Sequence, residues 1–339
     1  MILHQSDKLD TWKRVIMKKR TSLFILAGIL LVSIVTLGVY LYNLSRQPLG
    51  QLLVLNSQAE ATATLNSNIT SVCGQQGAFT ILTIGSDAED LRGLPGSDLT
   101  RLVRVDFSNK KINTFALPRD LWVDVSSLGF QNPLITDTTL GKTFYDAHER
   151  SVQIEEPGKM TDGAQVSAQM ILDNFEVTSD HYLVLDLDQL PALIDEIGGL
   201  PIDIPETITD PWIGTVIEAG PQTLTGVQLK AYARAIPDSD FARIQRSNLI
   251  IQALRQKLVD PSVWVKLPKL YRMFAKKMII TDLSPQQIFS LFCLVREIPK
   301  EEIVMERVEP AWTSPGPSGS LLWDKDKVTA ALKHLDLLP

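Results

Sequence analysis

"HYLVLDLDQLPALIDEIGGLPIDIP", residues 181–205, changes its period twice. His181–Leu187 is an apolar run rich in β-formers, Asp186–Gly199 has helical spacing and ends on a Gly-Gly stop, and Leu200–Pro205 alternates apolar and polar residues before a closing proline. Strand, helix, strand in one short stretch is the unit from which α/β layers are built. The same alternation runs outward in both directions. "AFTILTI" (78–84) is a buried strand ending in Gly85-Ser86-Asp87, and "LVRVDF" (102–107) and "INTFAL" (112–117) flank a turn at Ser108–Lys111. Helical spacing covers 161–175, "LTGVQLKAYARA" (224–235), Asp240–Val259 and Val328–Leu335, with further strand and helix material in "SPQQIFSLFCLV" and "EEIVMERV". No repeat and no long gap interrupts the chain from Ala78 onward, so the pattern predicts an α/β sandwich with one central sheet.

The N-terminus follows different rules. Thr21–Ser45 carries no charged residue, and about 20 apolar residues suffice to cross a bilayer. Lys8, Lys13, Arg14, Lys18, Lys19 and Arg20 precede this stretch and only Arg46 follows closely. The positive-inside rule therefore predicts a single transmembrane helix with its N-terminus in the cytoplasm. The organisation expected is a cytoplasmic basic stub (1–20), a transmembrane anchor (21–45), an extracytoplasmic stalk (46–76) and one domain (77–339). An oxidising compartment permits a Cys73–Cys293 disulfide; the alternative is two unpaired thiols, with Cys293 a small core residue. A net charge of -6 with no basic stripe argues against nucleic acid as a partner. Two cysteines and four scattered histidines leave no thiolate or imidazole metal centre, so a metal would be a hard ion held by carboxylates.

Chemistry-bearing residues gather at three element ends: Ser97, Asp98 and Arg101 in "GLPGSDLTRL"; Arg119-Asp120 in "FALPRDLWVDV"; and Arg234, Asp238, Asp240, Arg243 and Arg246 in "AYARAIPDSDFARIQR". Arg243 and Arg246 share a helix face close to its N-terminus, where cations oppose the dipole unless an anion is present. One reading is that Asp238 and Asp240 cap the helix and pair with these arginines. The other is a diphosphate site, in which guanidinium forks hold phosphate oxygens and carboxylates recruit Mg²⁺. No P-loop and no GxSxG elbow competes with it.

In these same stretches the sequence resembles the LytR-CpsA-Psr family of bacterial cell-envelope enzymes. "ILTIGSD" with "GSDLTRLVRVDF", "ALPRDLWVDV", the 181–205 stretch, "GPQTLTGVQLKAYARA" and "DSDFARIQR" occur in the family's order. The resemblance implies a three-layer α-β-α sandwich with a mixed central sheet. It also implies a Mg²⁺-dependent phosphotransferase that moves a glycopolymer from a polyprenyl-pyrophosphate carrier to a peptidoglycan hydroxyl, anchored in the bacterial cell membrane. Carried over, Asp98 and Asp120 would hold Mg²⁺, and Arg119, Arg234, Arg243 and Arg246 would grip the pyrophosphate, with Arg119, Asp120 and Arg243 closest to catalysis. The chain differs from the family pattern at Ile236, where a second basic residue is usual, and at Ser247 and Asn248, where two glutamines are usual. Arg101 stands where the family favours an apolar residue, a candidate replacement for the missing cation. Two other functions suit the same residues: a catalytically weak module that binds the lipid carrier or cell-wall glycan, and a polyprenyl-pyrophosphate phosphatase.

Overall fold

A computed structural model describes residues 73–87, 96–128, 136–144, 160–210, 214–235, 239–264, 266, 269–270 and 279–339. All of them belong to one compact unit, Ser67–Pro339. The basic stub, the apolar span and nearly all of the stalk expected at the N-terminus lie outside the described residues, as does Ile236. Among the described residues no helix is long and apolar enough to cross a membrane.

The central sheet contains β1 (Ala78–Asp87), β2 (Gly96–Asp106), β3 (Lys111–Leu117), β6 (His181–Asp186), β11 (Ile279–Thr281) and β12 (Ile303–Arg307), in the order β11-β6-β1-β2-β3-β12. It is mixed. β1 and β6 are parallel, as are β3 and β12, while β1–β2, β2–β3 and β6–β11 are antiparallel. The β2–β3 turn closes where Asp106 accepts a hydrogen bond from the Asn109 amide at 2.9 Å and Lys110 takes a positive φ of 51°. A parallel neighbour needs a crossover. Helix α1 (Met160–Phe175) supplies the one before β6.

Alternation along each strand feeds two cores. Leu82, Ile84, Leu102 and Phe115 face α1 (Met170, Ile171, Phe175) and the C-terminal helix Lys325–His334 (Val328, Leu332). Ile81, Val105 and Ile112 face the opposite side, where Leu294 of the helix Pro285–Glu297 covers them. Helices on both faces of a mixed sheet form the expected three layers. Each fully buried Leu or Phe contributes on the order of 1.5–3 kcal/mol.

The strand read in "LPIDIP" exists, but elsewhere than in this sheet. β7 (Leu200–Ile204) pairs antiparallel with β10 (Gly220–Leu224) in a separate ribbon. Between these two strands run β8 (Ile208–Asp210) and β9 (Thr215–Ile217); β4 (Trp122–Asp124) and β5 (Asp137–Thr139) make another small ribbon earlier in the chain. The β7–β10 ribbon packs with α2 (Leu190–Glu196), α3 (Gly226–Arg234) and α4 (Asp240–Leu258) around Ile194, Leu200, Leu224, Leu229 and Tyr232. Thr225 and Gln228 form a capping box that starts α3. Gly226 permits the approach of α2: a Cβ there would lie 2.1 Å from the Pro191 carbonyl oxygen.

Cys73 and Cys293 are joined in a disulfide with a Cα–Cα distance of 6.3 Å. Of the two readings open in the sequence, the bonded one holds, and Cys293 is a buried core residue as well. The bond fastens the start of the described chain to the helix Pro285–Glu297 across 220 residues.

Candidate active site

The C-terminal end of β3, the start of β2 and the first turn of α4 meet at one point. β3 delivers Arg119 and Asp120 just past Leu117, β2 delivers Asp98, and α4 delivers Asp240 and Arg243. Arg119 Nη1 donates to Asp98 Oδ1 at 2.5 Å, and Arg243 Nη1 donates to the same oxygen at 3.3 Å. Asp240 Oδ1 lies 3.3 Å from Arg119 Nε and 3.4 Å from Arg243 Nη1, while its Oδ2 accepts the Asp120 amide at 3.0 Å. Asp120 Oδ1 stands 3.8 Å from Arg119 Nε. The answer to the helix-dipole problem is thus inside the chain: Asp240 and Asp98 supply the anions that a cation at the start of α4 requires.

Asp240 is the member of this cluster that sequence reasoning did not choose for the site. Its spacing from Arg243 signals an ion pair, and the capping reading gives it the cap together with Asp238, which lies outside the described residues. The cap is instead Ser239, whose Oγ accepts from the Ala242 amide. The Asp240 side chain is 6% exposed. Gly141 completes the packing around Arg119; a Cβ there would sit 3.0 Å from Arg119 Cβ and from the Ser97 carbonyl oxygen.

Charge and burial compete here. Burial and the neighbouring Asp120 push the Asp240 carboxyl above the ordinary carboxylate range, against the pull of Arg243 and Arg119. Burial lowers Arg243, with Arg119 acting in the same direction, and Asp98 and Asp240 offset this only in part. For Arg119, burial is outweighed by Asp98, Asp240 and Asp120, and the group is held above its usual value. The two arginines move in opposite senses because Arg119 keeps the shorter bond to Asp98 and is the more exposed of the two. Two guanidinium groups face three carboxylates, so the ion-paired cluster is one negative charge in surplus. The Nε atoms of Arg119 and Arg243 are buried without a hydrogen-bond acceptor.

The other sequence-predicted residues divide. Arg234 reaches the site: with Asp98 and Arg243 it lines an apolar cavity of about 150 Å³ whose walls include Leu99, Leu185, Leu190, Ile251 and Leu254. Arg246 lies elsewhere. It is buried at the α3–α4 junction, donates to the Ala235 carbonyl at 2.9 Å and neighbours Tyr232. Arg101 also stands outside the ion cluster, 2% exposed, and donates to Thr114 Oγ1 (2.8 Å), Asn248 Oδ1 (2.5 Å) and Ser247 Oγ (3.2 Å). No group of three or more His, Cys, Asp or Glu placed to hold a metal occurs among the described residues. A Mg²⁺ ion needs no such group, since one or two carboxylates with substrate phosphates and water complete its shell. Asp98 and Asp120, flanking Arg119 in a cluster with surplus negative charge, fit that requirement.

The LytR_cpsA_psr family model matches residues 52–330. The chain belongs to this family. Regulatory protein MsrR of Staphylococcus aureus is 26% identical over 197 residues, covering 57% of this chain and 53% of MsrR. The polyisoprenyl-teichoic acid–peptidoglycan teichoic acid transferase TagV of Bacillus subtilis is 26% identical over 229 residues, covering 63% of this chain and 54% of TagV. The chain thus spans about half the length of these curated relatives. Its fold is that of the B. subtilis TagV crystal structure (TM-score 0.60, 21% identity, 78% of this chain and 100% of that one). TagT bound to LIIa-WTA shares it as well (TM-score 0.56, 18% identity, 77% and 90%). Within this LytR_cpsA_psr protein, three of the departures read from sequence meet in one place, because Arg101 bonds directly to Ser247 and Asn248.

Proposed function

We propose that this protein is a membrane-anchored phosphotransferase that moves a glycopolymer from a polyprenyl-pyrophosphate carrier to a peptidoglycan hydroxyl. One juxtaposition carries the reading: Asp98, Asp186, Arg234 and Arg243 line an apolar cavity together with its leucines and isoleucines, so an apolar tail and a charged head find their partners side by side. Relatives point the same way, since TagV is named for teichoic acid transfer to peptidoglycan and TagT has been crystallised with WTA ligands. The span at 21–45 serves as the anchor and places residues 46 onward outside the cell.

In this mechanism the acceptor oxygen bonds to the sugar-side phosphorus, the bond from that phosphorus to the carrier phosphate breaks, and the acceptor proton passes to solvent. Arg119, Arg234 and Arg243 bind the pyrophosphate oxygens and stabilise charge on the departing polyprenyl phosphate. The buried, acceptor-free Nε atoms of Arg119 and Arg243 give each guanidinium unspent donor capacity. Asp240 holds Arg119 and Arg243 in place and fixes the backbone of Asp120. Asp98 and Asp120 are the residues that would hold Mg²⁺, which supplies the positive charge that the surplus of carboxylates withholds from an incoming anion.

The test is product analysis. The full chain is incubated with Mg²⁺ and a polyprenyl-pyrophosphoryl glycan, with and without peptidoglycan fragments, and products are followed by mass spectrometry. Acceptor-linked sugar phosphate that disappears in Asp120→Ala is the expected result. Lipid bound but never converted would instead identify a binding module, and acceptor-independent release of phosphate a phosphatase.

A further inference from the structure

The helix Pro285–Glu297 turns an apolar stripe outward. Ser290, Cys293 and Leu294 are buried on its sheet side. Ile288 and Phe289 are 44% and 54% exposed, and Phe292, one turn further on the same face, is partly exposed. A helix packed on a sheet ordinarily presents polar residues to water on this face. Other exposed apolar side chains among the described residues, such as Leu172 and Val227, are scattered along the chain, and single ones are normal. Here two adjacent residues and the next turn form one patch, and Arg296 follows on the same face one turn beyond Phe292.

The chain enters the domain beside this patch. Cys73, the first described residue, is bonded to Cys293 of the same helix, and its carbonyl accepts a hydrogen bond from Gln286 Nε2 at 2.9 Å. In the sequence, 27 residues (46–72) join Cys73 to the uncharged stretch 21–45. Fully extended they reach about 90 Å at about 3.3 Å per residue, so a domain tethered through 21–45 never leaves the neighbourhood of the bilayer. From free solution so small a patch holds a bilayer weakly. On a tether the contact is intramolecular, and a weak patch suffices. An apolar patch edged by an arginine also suits the boundary between acyl chains and headgroups. The helix shares its sheet face with the apolar cavity: Leu99 of β2 lines the cavity, and Val103 and Val105, alternate residues of the same strand, lie under the helix.

We infer that Ile288, Phe289 and Phe292 form a membrane-contact surface, which seats the domain on the bilayer with this sheet face toward the lipid. The inference rests on the membrane-anchored reading above and adds an orientation to it. A lipid-borne carrier and the cavity then lie on the same side of the sheet. Helix α1, on the opposite sheet face, carries the exposed Leu172 and points away from the bilayer.

The experiment places a fluorophore on a cysteine introduced into the full chain, Ile288→Cys or, for comparison, Leu172→Cys. Both native cysteines are in the disulfide, so neither competes for the label. The labelled chain is assembled into bilayer discs of phosphatidylglycerol and phosphatidylcholine, and quenching by nitroxide-bearing acyl chains is compared with quenching by aqueous iodide. The expected result is acyl-chain quenching about fivefold or more stronger at 288 than at 172, and largely lost when Phe289→Asp is added. Equal access of iodide to both labels would overturn the contact, as would acyl-chain quenching that Phe289→Asp leaves unchanged. So would a label at 288 shielded from iodide and acyl chains alike, which would mean that protein, such as a second copy of the chain, covers the patch. Recovery of the chain apart from the discs would instead refute the anchored reading, and the contact surface with it.

Discussion

Two arginine environments lie beneath the same helix, α4. At its first turn, Arg119 and Arg243 share Asp98 and Asp240 as counterions. Further along it, Arg101 has only hydroxyl and amide partners. The consequence is visible in their ionisation. Carboxylates overcome burial for Arg119, whereas burial acts unopposed on Arg101 and lowers it to about 10. A compensated cation can exchange one anion for another when a ligand arrives. An uncompensated one held by neutral hydrogen bonds has no anion to exchange, and it fixes the spacing of sheet and helix instead. Similar side chains are thus suited to binding in one place and to shaping in the other.

The largest break in this comparison comes from Arg119→Ala. Removing a donor aimed at developing charge costs roughly 100- to 1,000-fold in turnover, so transfer measured by mass spectrometry should fall by that order while Arg101→Met stays far more active. Full activity in Arg119→Ala would remove Arg119 from the site. The disulfide supplies a control remote from the cation contrast. Cys293→Ser should lower unfolding free energy in urea by about 3 kcal/mol and leave the binding of inorganic pyrophosphate intact; an unaltered urea midpoint would mean the bond is absent in solution.

A finer test changes the charge surplus. Asp240→Asn keeps an acceptor for the Asp120 amide but leaves two guanidinium groups facing two carboxylates. Inorganic pyrophosphate should then bind about fivefold tighter without Mg²⁺, and less extra affinity should come from adding it. Weaker Mg²⁺-free binding would show that Asp240 acts by placing the arginines rather than by its charge.

The smallest effect belongs to Arg101. Burial lowers its folded pKa to about 10, below the unfolded value, so its contribution to stability is complete only above the unfolded value and is lost as pH falls through about 10. At neutral pH the buried cation therefore costs on the order of 3 kcal/mol. Raising the pH from 8 to about 10.5 should stabilise the wild type relative to Arg101→Met, read from paired urea melts. Both cysteines are in the disulfide, so no thiol is present to reshuffle it. A flat difference between the melts would mean that Arg101 is not desolvated.

Much of this architecture was legible because it depends on local period. The strand and helix runs at 78–84, 112–117, 161–175, 181–187 and 240–259 all appear close to their expected limits. Pairing was less legible. Nothing in "LPIDIP" distinguishes a central strand from half of the β7–β10 ribbon, since both alternate. In the site, Asp98, Arg119, Asp120 and Arg243 were readable as charged residues at element ends, and the structure gathers them. Arg246 shares a face with Arg243 by spacing alone, yet the α3–α4 junction claims it through the Ala235 carbonyl. Asp240 looked like a cap because its partner Arg119 is 121 positions away in sequence. Arg101 looked like a spare cation because strand alternation does not reveal which helix lies above it.

The most direct test of the account is a structure of the full chain with a prenyl pyrophosphate bound. The account predicts the pyrophosphate within hydrogen-bond distance of Arg119 and Arg243, and the prenyl tail between Leu99, Leu185 and α4. A pyrophosphate bound elsewhere, or a tail that stays out of this cavity, would contradict it.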